Sequence, residues 1–159
     1  MKQSNSKANR LRVTLWIAGI VVAAALVYFA GMNLMMARMN SNLPSELDYS
    51  TMRNSNNDLY RVSYHASTDS VPVNQMHQWT LHVETLDGQP VENAAITVDG
   101  DMPQHGHGLP TRPQVTQYLG NGDYLVEGVK FQMGGWWVMD FTITAAGQTD
   151  VVRFNMVLP

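Results

Sequence analysis

Trp137-Val138-Met139-Asp140-Phe141-Thr142-Ile143 puts four large apolar side chains at every second position. That two-residue period is the pattern of a strand with one face in a core. The same pattern recurs on both sides of it. Val152, Phe154, Met156 and Leu158 follow, and Tyr60, Val62, Tyr64 and then Trp79, Leu81, Val83 precede. Ala94, Ile96 and Val98 form another inward set, then Val115, Gln117 and Leu119, then Tyr124 and Val126. At Gly128 the parity changes and Val129, Phe131 and Met133 take over the apolar face, which predicts a bulge at Gly128. Asp87-Gly88 and Gly120-Asn121-Gly122-Asp123 supply turns. About seven strands in roughly 100 residues, with no amphipathic helix between them, predict an all-β fold. The expected architecture is an immunoglobulin-like antiparallel β-sandwich.

Ahead of the strands the composition changes. From Val13 to Met36 no charged residue occurs. A helix rises about 1.5 Å per residue, so roughly 20 such residues cross a hydrocarbon core. Lys2, Lys7, Arg10 and Arg12 precede this stretch and only Arg38 follows closely. The positive-inside rule then assigns 1–12 to a cytoplasmic basic tail, 13–36 to a transmembrane anchor, 37–57 to a polar linker and 58–159 to an exported sandwich. The expected location is a bacterial inner membrane, with the N-terminus cytoplasmic and the C-terminal domain periplasmic. Cleavage after Ala23-Ala24-Ala25 would leave an apolar new terminus at Leu26, so the segment reads as an uncleaved anchor. The chain has no cysteine and a net charge of −3. The absence of cysteine suits an exported domain without disulfides, and the acidic body argues against nucleic acid as a partner.

The chemistry concentrates in Asp101-Met102-Pro103-Gln104-His105-Gly106-His107-Gly108-Leu109-Pro110. Side chains two apart in an extended run leave on one side, and Gly106 also permits φ > 0, which pinches the two rings together. Imidazole and thioether are soft donors that suit copper, so Met102, His105 and His107 form a candidate three-donor site, with Asp101 as a hard oxygen. The same residues fit a metal-free turn whose imidazoles are hydrogen-bonding struts. Met133, in Phe131-Gln132-Met133-Gly134-Gly135-Trp136-Trp137, reads both as a fourth donor and, by parity, as core. Met139 and Met156 read as core, Trp136 as partly exposed, and His65 and His82 as outward-facing; His77 shares the parity of Trp79. Met32, Met35, Met36 and Met39 fall on one helical stripe, and Gly19 and Ala23 form a small-xxx-small pair. No nucleophile elbow, phosphate loop or zinc-protease motif occurs, so the chain does not read as an enzyme.

Asp87-Gly88-Gln89-Pro90-Val91-Glu92-Asn93-Ala94, Met102-Pro103-Gln104-His105-Gly106-His107-Gly108, Gly122-Asp123-Tyr124 and Phe131-Gln132-Met133-Gly134-Gly135-Trp136 together resemble the YtkA-like domain. The likeness covers about 58–159. The short anchor and exported sandwich are also similar to FixH-type proteins, and the sandwich with soft donors is similar in fold to small CopC-type copper proteins. The resemblance implies membrane association and a link to copper-dependent cytochrome oxidase assembly. The implied partners are the inner membrane, a membrane respiratory complex or its copper chaperones, and the implied cofactor is copper. The alternative is a metal-free interaction module that docks on a membrane complex.

Overall fold

The computed structural model describes residues 3–41 and 46–159, with side chains described for 16–35 and 46–159. The chain divides into two units, residues 1–43 and 44–159. The first is a single helix, α1 (Gln3–Ser41). Its apolar stretch Trp16–Met35 is 20 residues long with mean hydropathy 2.1, which makes it a candidate membrane anchor. The side chains of Met36 and Met39, half of the methionine stripe, lie outside the described residues.

The second unit is built of antiparallel strands: β1 (Met52–Asn54), β2 (Arg61–Ala66), β3 (His77–Glu84), β4 (Ala95–Met102), β5 (His107–Gly108), β6 (Gln114–Gly120), β7 (Asp123–Val129), β8 (Gly135–Ala145) and β9 (Gln148–Leu158). The seven expected strands are all present; the two short strands β1 and β5 complete the set. Their order is β1-β2-β3-β7-β6-β4-β8-β9, with β5 beside β4. A single pairing, Thr97 with Gln114, joins β4 to β6. At the other margin the amide of Asn56 donates to Val151 O at 2.9 Å, and Arg53 donates to Arg153 O at 2.6 Å. The strip thus folds over on itself as a sandwich that is nearly a barrel.

Burial follows the alternation read from the sequence. Trp79, Leu81, Val83, Trp137, Met139, Phe141, Ile143 and Phe154 are fully buried. Each large apolar side chain withdrawn from water contributes about 1.5–3 kcal/mol. Trp79, Phe131 and Trp137 form a continuous aromatic row, with ring centroids 6.1 and 5.1 Å apart. The Tyr124 hydroxyl donates to Val91 O and accepts from Ala94 N, tying the β3–β4 connection to β7. The parity change in β7 is a bulge: His77 pairs with Val129 but Trp79 pairs with Val126, one residue out of step, across Gly128.

Two expectations need correction. The inward set Val115, Gln117, Leu119 does not hold, because Gln117 and Leu119 are exposed. The register shift between Val115 and Gln117 reverses the face, so Tyr118 packs on Tyr124 with centroids 4.9 Å apart; a second shift follows between Tyr118 and Gly120. The linker expected over 37–57 is also too long. α1 continues to Ser41 and β1 lies inside the expected linker, pairing with β2 through Arg53 and Val62. Long-range pairing orders this polar segment, which has no apolar alternation of its own to reveal it.

Candidate functional site

The His-Gly-His segment is the tip of a hairpin. β4 ends at Met102, the chain reverses through Pro103–Gly106, and His107 returns opposite Met102 in register. The amides of His105 and Gly106 both donate to Met102 O at 2.9 Å, and Gly106 takes φ +65°, which only glycine adopts freely. The turn brings the two imidazoles beside each other, with centroids 5.8 Å apart and the ring planes tilted by 42°. Two imidazoles that share one ion at metal–nitrogen distances near 2 Å have centroids about 5–6 Å apart.

A second loop supports this hairpin from beneath. The His107 ring sits edge-on to the buried Trp137, 5.9 Å between centroids. Gln132 Nε2 lies 3.0 Å from His107 Nδ1 and donates to Gly108 O at 3.2 Å. Met102 is buried, and its methyl occupies the space that a β-carbon on Gly135 would need. Met133 is half-buried against the core, and its carbonyl accepts from Trp137 Nε1 at 3.0 Å.

The structure therefore places the four sequence candidates in two adjoining loops. His105 and His107 are together and reachable, with His105 exposed and His107 partly so. The Met102 thioether lies below the hairpin in the core, and Met133 packs at the base of the second loop. Asp101 is exposed on β4. Among the described residues no group of three or more His, Asp and Glu side chains is arranged to hold an ion. Gln132 was not anticipated. It falls inside the Phe131–Trp136 motif, but a polar residue between two apolar ones reads simply as the outer face of a strand.

The remaining histidines stand apart. His65 is exposed. His82 faces outward, with Nδ1 2.6 Å from Asp123 and Nε2 3.6 Å from Glu84. His77 is buried. Trp136 is half-buried and donates to Asn155 Oδ1 at 3.2 Å. It lines a groove of about 440 Å³ with Pro103, Arg53 and Arg153.

Residues 56–142 match the YtkA-like family. The chain belongs to that family. The match takes in β2 through most of β8, and so both loops of the site. Among solved structures, the chain is similar to a DUF4426 family protein from Pseudomonas aeruginosa, with 18% identity and a TM-score of 0.47, over 69% of this chain and 96% of that one. Comparison with the curated proteins gives no match.

Proposed function

We propose that this YtkA-like protein is a membrane-anchored copper-binding module of the periplasm, acting in copper handling or cytochrome oxidase assembly. It is a binding protein and not an enzyme. The observation that carries the reading is the 5.8 Å approach of the His105 and His107 rings on a glycine turn at the domain surface. Those two imidazoles are the primary ligands. Met102 and Met133, in the same two loops, supply thioethers when the hairpin shifts to expose them, and that donor set favours Cu(I). The partners are a membrane respiratory complex or its copper chaperones.

One contact favours a second reading. His107 Nδ1 is already engaged by Gln132, as in a structural strut. On that reading the domain is a metal-free module that docks on a membrane complex. Titration of the full chain in detergent with Cu(I) separates the two. The expected result is one ion per chain bound tighter than micromolar, with at least 100-fold weaker binding after joint His105→Ala and His107→Ala replacement and an unchanged near-UV spectrum. Wild type with no uptake, or a double variant that unfolds while copper makes no difference, leaves the strut reading.

A further inference from the structure

Gln132 joins the two loops of the site, and its amide is incompletely satisfied. Nε2 meets both His107 Nδ1 and Gly108 O, whereas Oε1 is buried with no partner among the described residues. Buried amide oxygens nearly always accept a hydrogen bond, so an orphan here calls for a reason.

Two orientations of one amide bear on the tautomer of His107. With Nε2 toward the hairpin, Gln132 donates to the Nδ1 lone pair and to Gly108 O. The imidazole then carries its proton on Nε2 and has no lone pair there for a metal. With the amide reversed, Oε1 accepts from Nδ1–H and the Nε2 lone pair is free. Gly108 O then loses the Gln132 donor and faces an oxygen, but it lies 3.3 Å from His107 Nδ1 and shares that N–H. Neither orientation is ideal: the first leaves Oε1 without a partner among the described residues, and the second sets Oε1 against Gly108 O, so a ligand that prefers one of them can select it.

We propose that Gln132 is the positioning residue for His107. It donates to Nδ1 in the metal-free protein and turns over to accept from Nδ1–H when Nε2 takes a metal ion. This rests on the copper reading given above. The step balances: Nε2 releases its proton to water, Nδ1 gains one from water, and the neutral ring directs the Nε2 pair at the ion. An oxygen accepting from the far nitrogen fixes the ring's tautomer and makes it a stronger ligand. The sequence already holds a residue that serves either role, since glutamine is both donor and acceptor. Glutamate accepts only, and leucine does neither.

The test reads the tautomer of His107 by long-range ¹⁵N–¹H correlation spectra of the full chain in detergent. The spectra are taken at about pH 9, where an ordinary imidazole is neutral. Metal-free wild type should show Nε2–H, and one equivalent of Cu(I), which is diamagnetic, should convert it to Nδ1–H. Gln132→Glu should show Nδ1–H without metal and bind Cu(I) about tenfold more tightly, whereas Gln132→Leu should bind about tenfold more weakly than Gln132→Glu. If the leucine variant fails to fold, the glutamate variant alone decides. The same tautomer in metal-free wild type and Gln132→Glu overturns the proposal. A tautomer that follows residue 132 while no variant binds Cu(I) overturns the copper reading and the turnover with it, and leaves Gln132 as the residue that orients a strut.

Discussion

His77 opens β3 with its ring against Phe131 and Trp79, at centroid distances of 5.7 and 6.2 Å. Its Nδ1 is 3.3 Å from Gln75 O, and its Nε2 is buried with no partner among the described residues. Burial holds its pKa below the ordinary 6.5, against a smaller opposing effect of the Gln75 carbonyl. The unfolded ring takes up a proton near pH 6.5 and the folded ring does not. Below that pH the unfolded state binds more protons, so stability falls as pH drops through about 6.5 toward the folded value. His77→Phe should remove this component. Urea midpoints at pH 5 and pH 7 should therefore draw closer together in the variant than in wild type; an unchanged gap would mean that the ring titrates freely. The parity of His77 with Trp79 was visible in the sequence, but its cover was not. That cover is the preceding loop, where Val73 bridges to Phe131 and Asn74 N donates to Phe131 O at 2.6 Å, a contact across more than fifty residues.

Between elements, the closure of the sheet depends on Asp150 at the start of β9. The residue is 3% exposed, and its carboxylate accepts from Asn57 N and Asn57 Nδ2, each at 2.9 Å, and from Val151 N at 2.8 Å. Burial alone would raise its pKa, but hydrogen bonds from Ser55, Asn57 and Val151 outweigh that effect and hold it at about 2. The unfolded value is near 3.8, so the stabilisation is complete above about pH 4 and is lost as pH falls through about 2. Asp150→Asn should cost about 1–2 kcal/mol at pH 7 by urea unfolding, and the gap to wild type should shrink at pH 2.5. A gap that is constant with pH would assign the loss to shape and not to charge. This closure was the least legible part of the fold. Strands such as β3 and β8 announce themselves because one face is apolar throughout. β1 and the Ser55–Asn57 turn are polar and are held by partners on β9 almost a hundred residues away. In β6 the register shift between Val115 and Gln117 broke the alternation, and no glycine marks it as Gly128 marked the bulge in β7.

For the whole molecule, the legible signals were those that depend on composition over a long window: an uncharged stretch near the N-terminus, then alternation to the end. The site was half legible for the same reason. Two histidines around a glycine stand out in one segment, whereas Gln132 matters only through its contact with another loop. The proposed orientation in a membrane rests on charge. Lys2, Lys7, Arg10 and Arg12 lie on one side of the apolar stretch, and moving such charges across a bilayer is costly. The chain has no cysteine, so a single introduced thiol reports on topology without background. Ser70 is exposed on the loop between β2 and β3. In intact cells whose outer membrane is permeabilised, Ser70→Cys should react with a membrane-impermeant maleimide, and Ser4→Cys should react only after lysis. The labelled Ser70→Cys chain should stay in the membrane fraction at the full-length mass, because an uncleaved anchor retains its N-terminus. The reverse labelling pattern would place His105 and His107 in the cytoplasm and remove the periplasmic copper role. A shortened, soluble product would make the apolar segment an export signal. Equal labelling of both positions before lysis would mean that the basic residues do not hold the N-terminus inside.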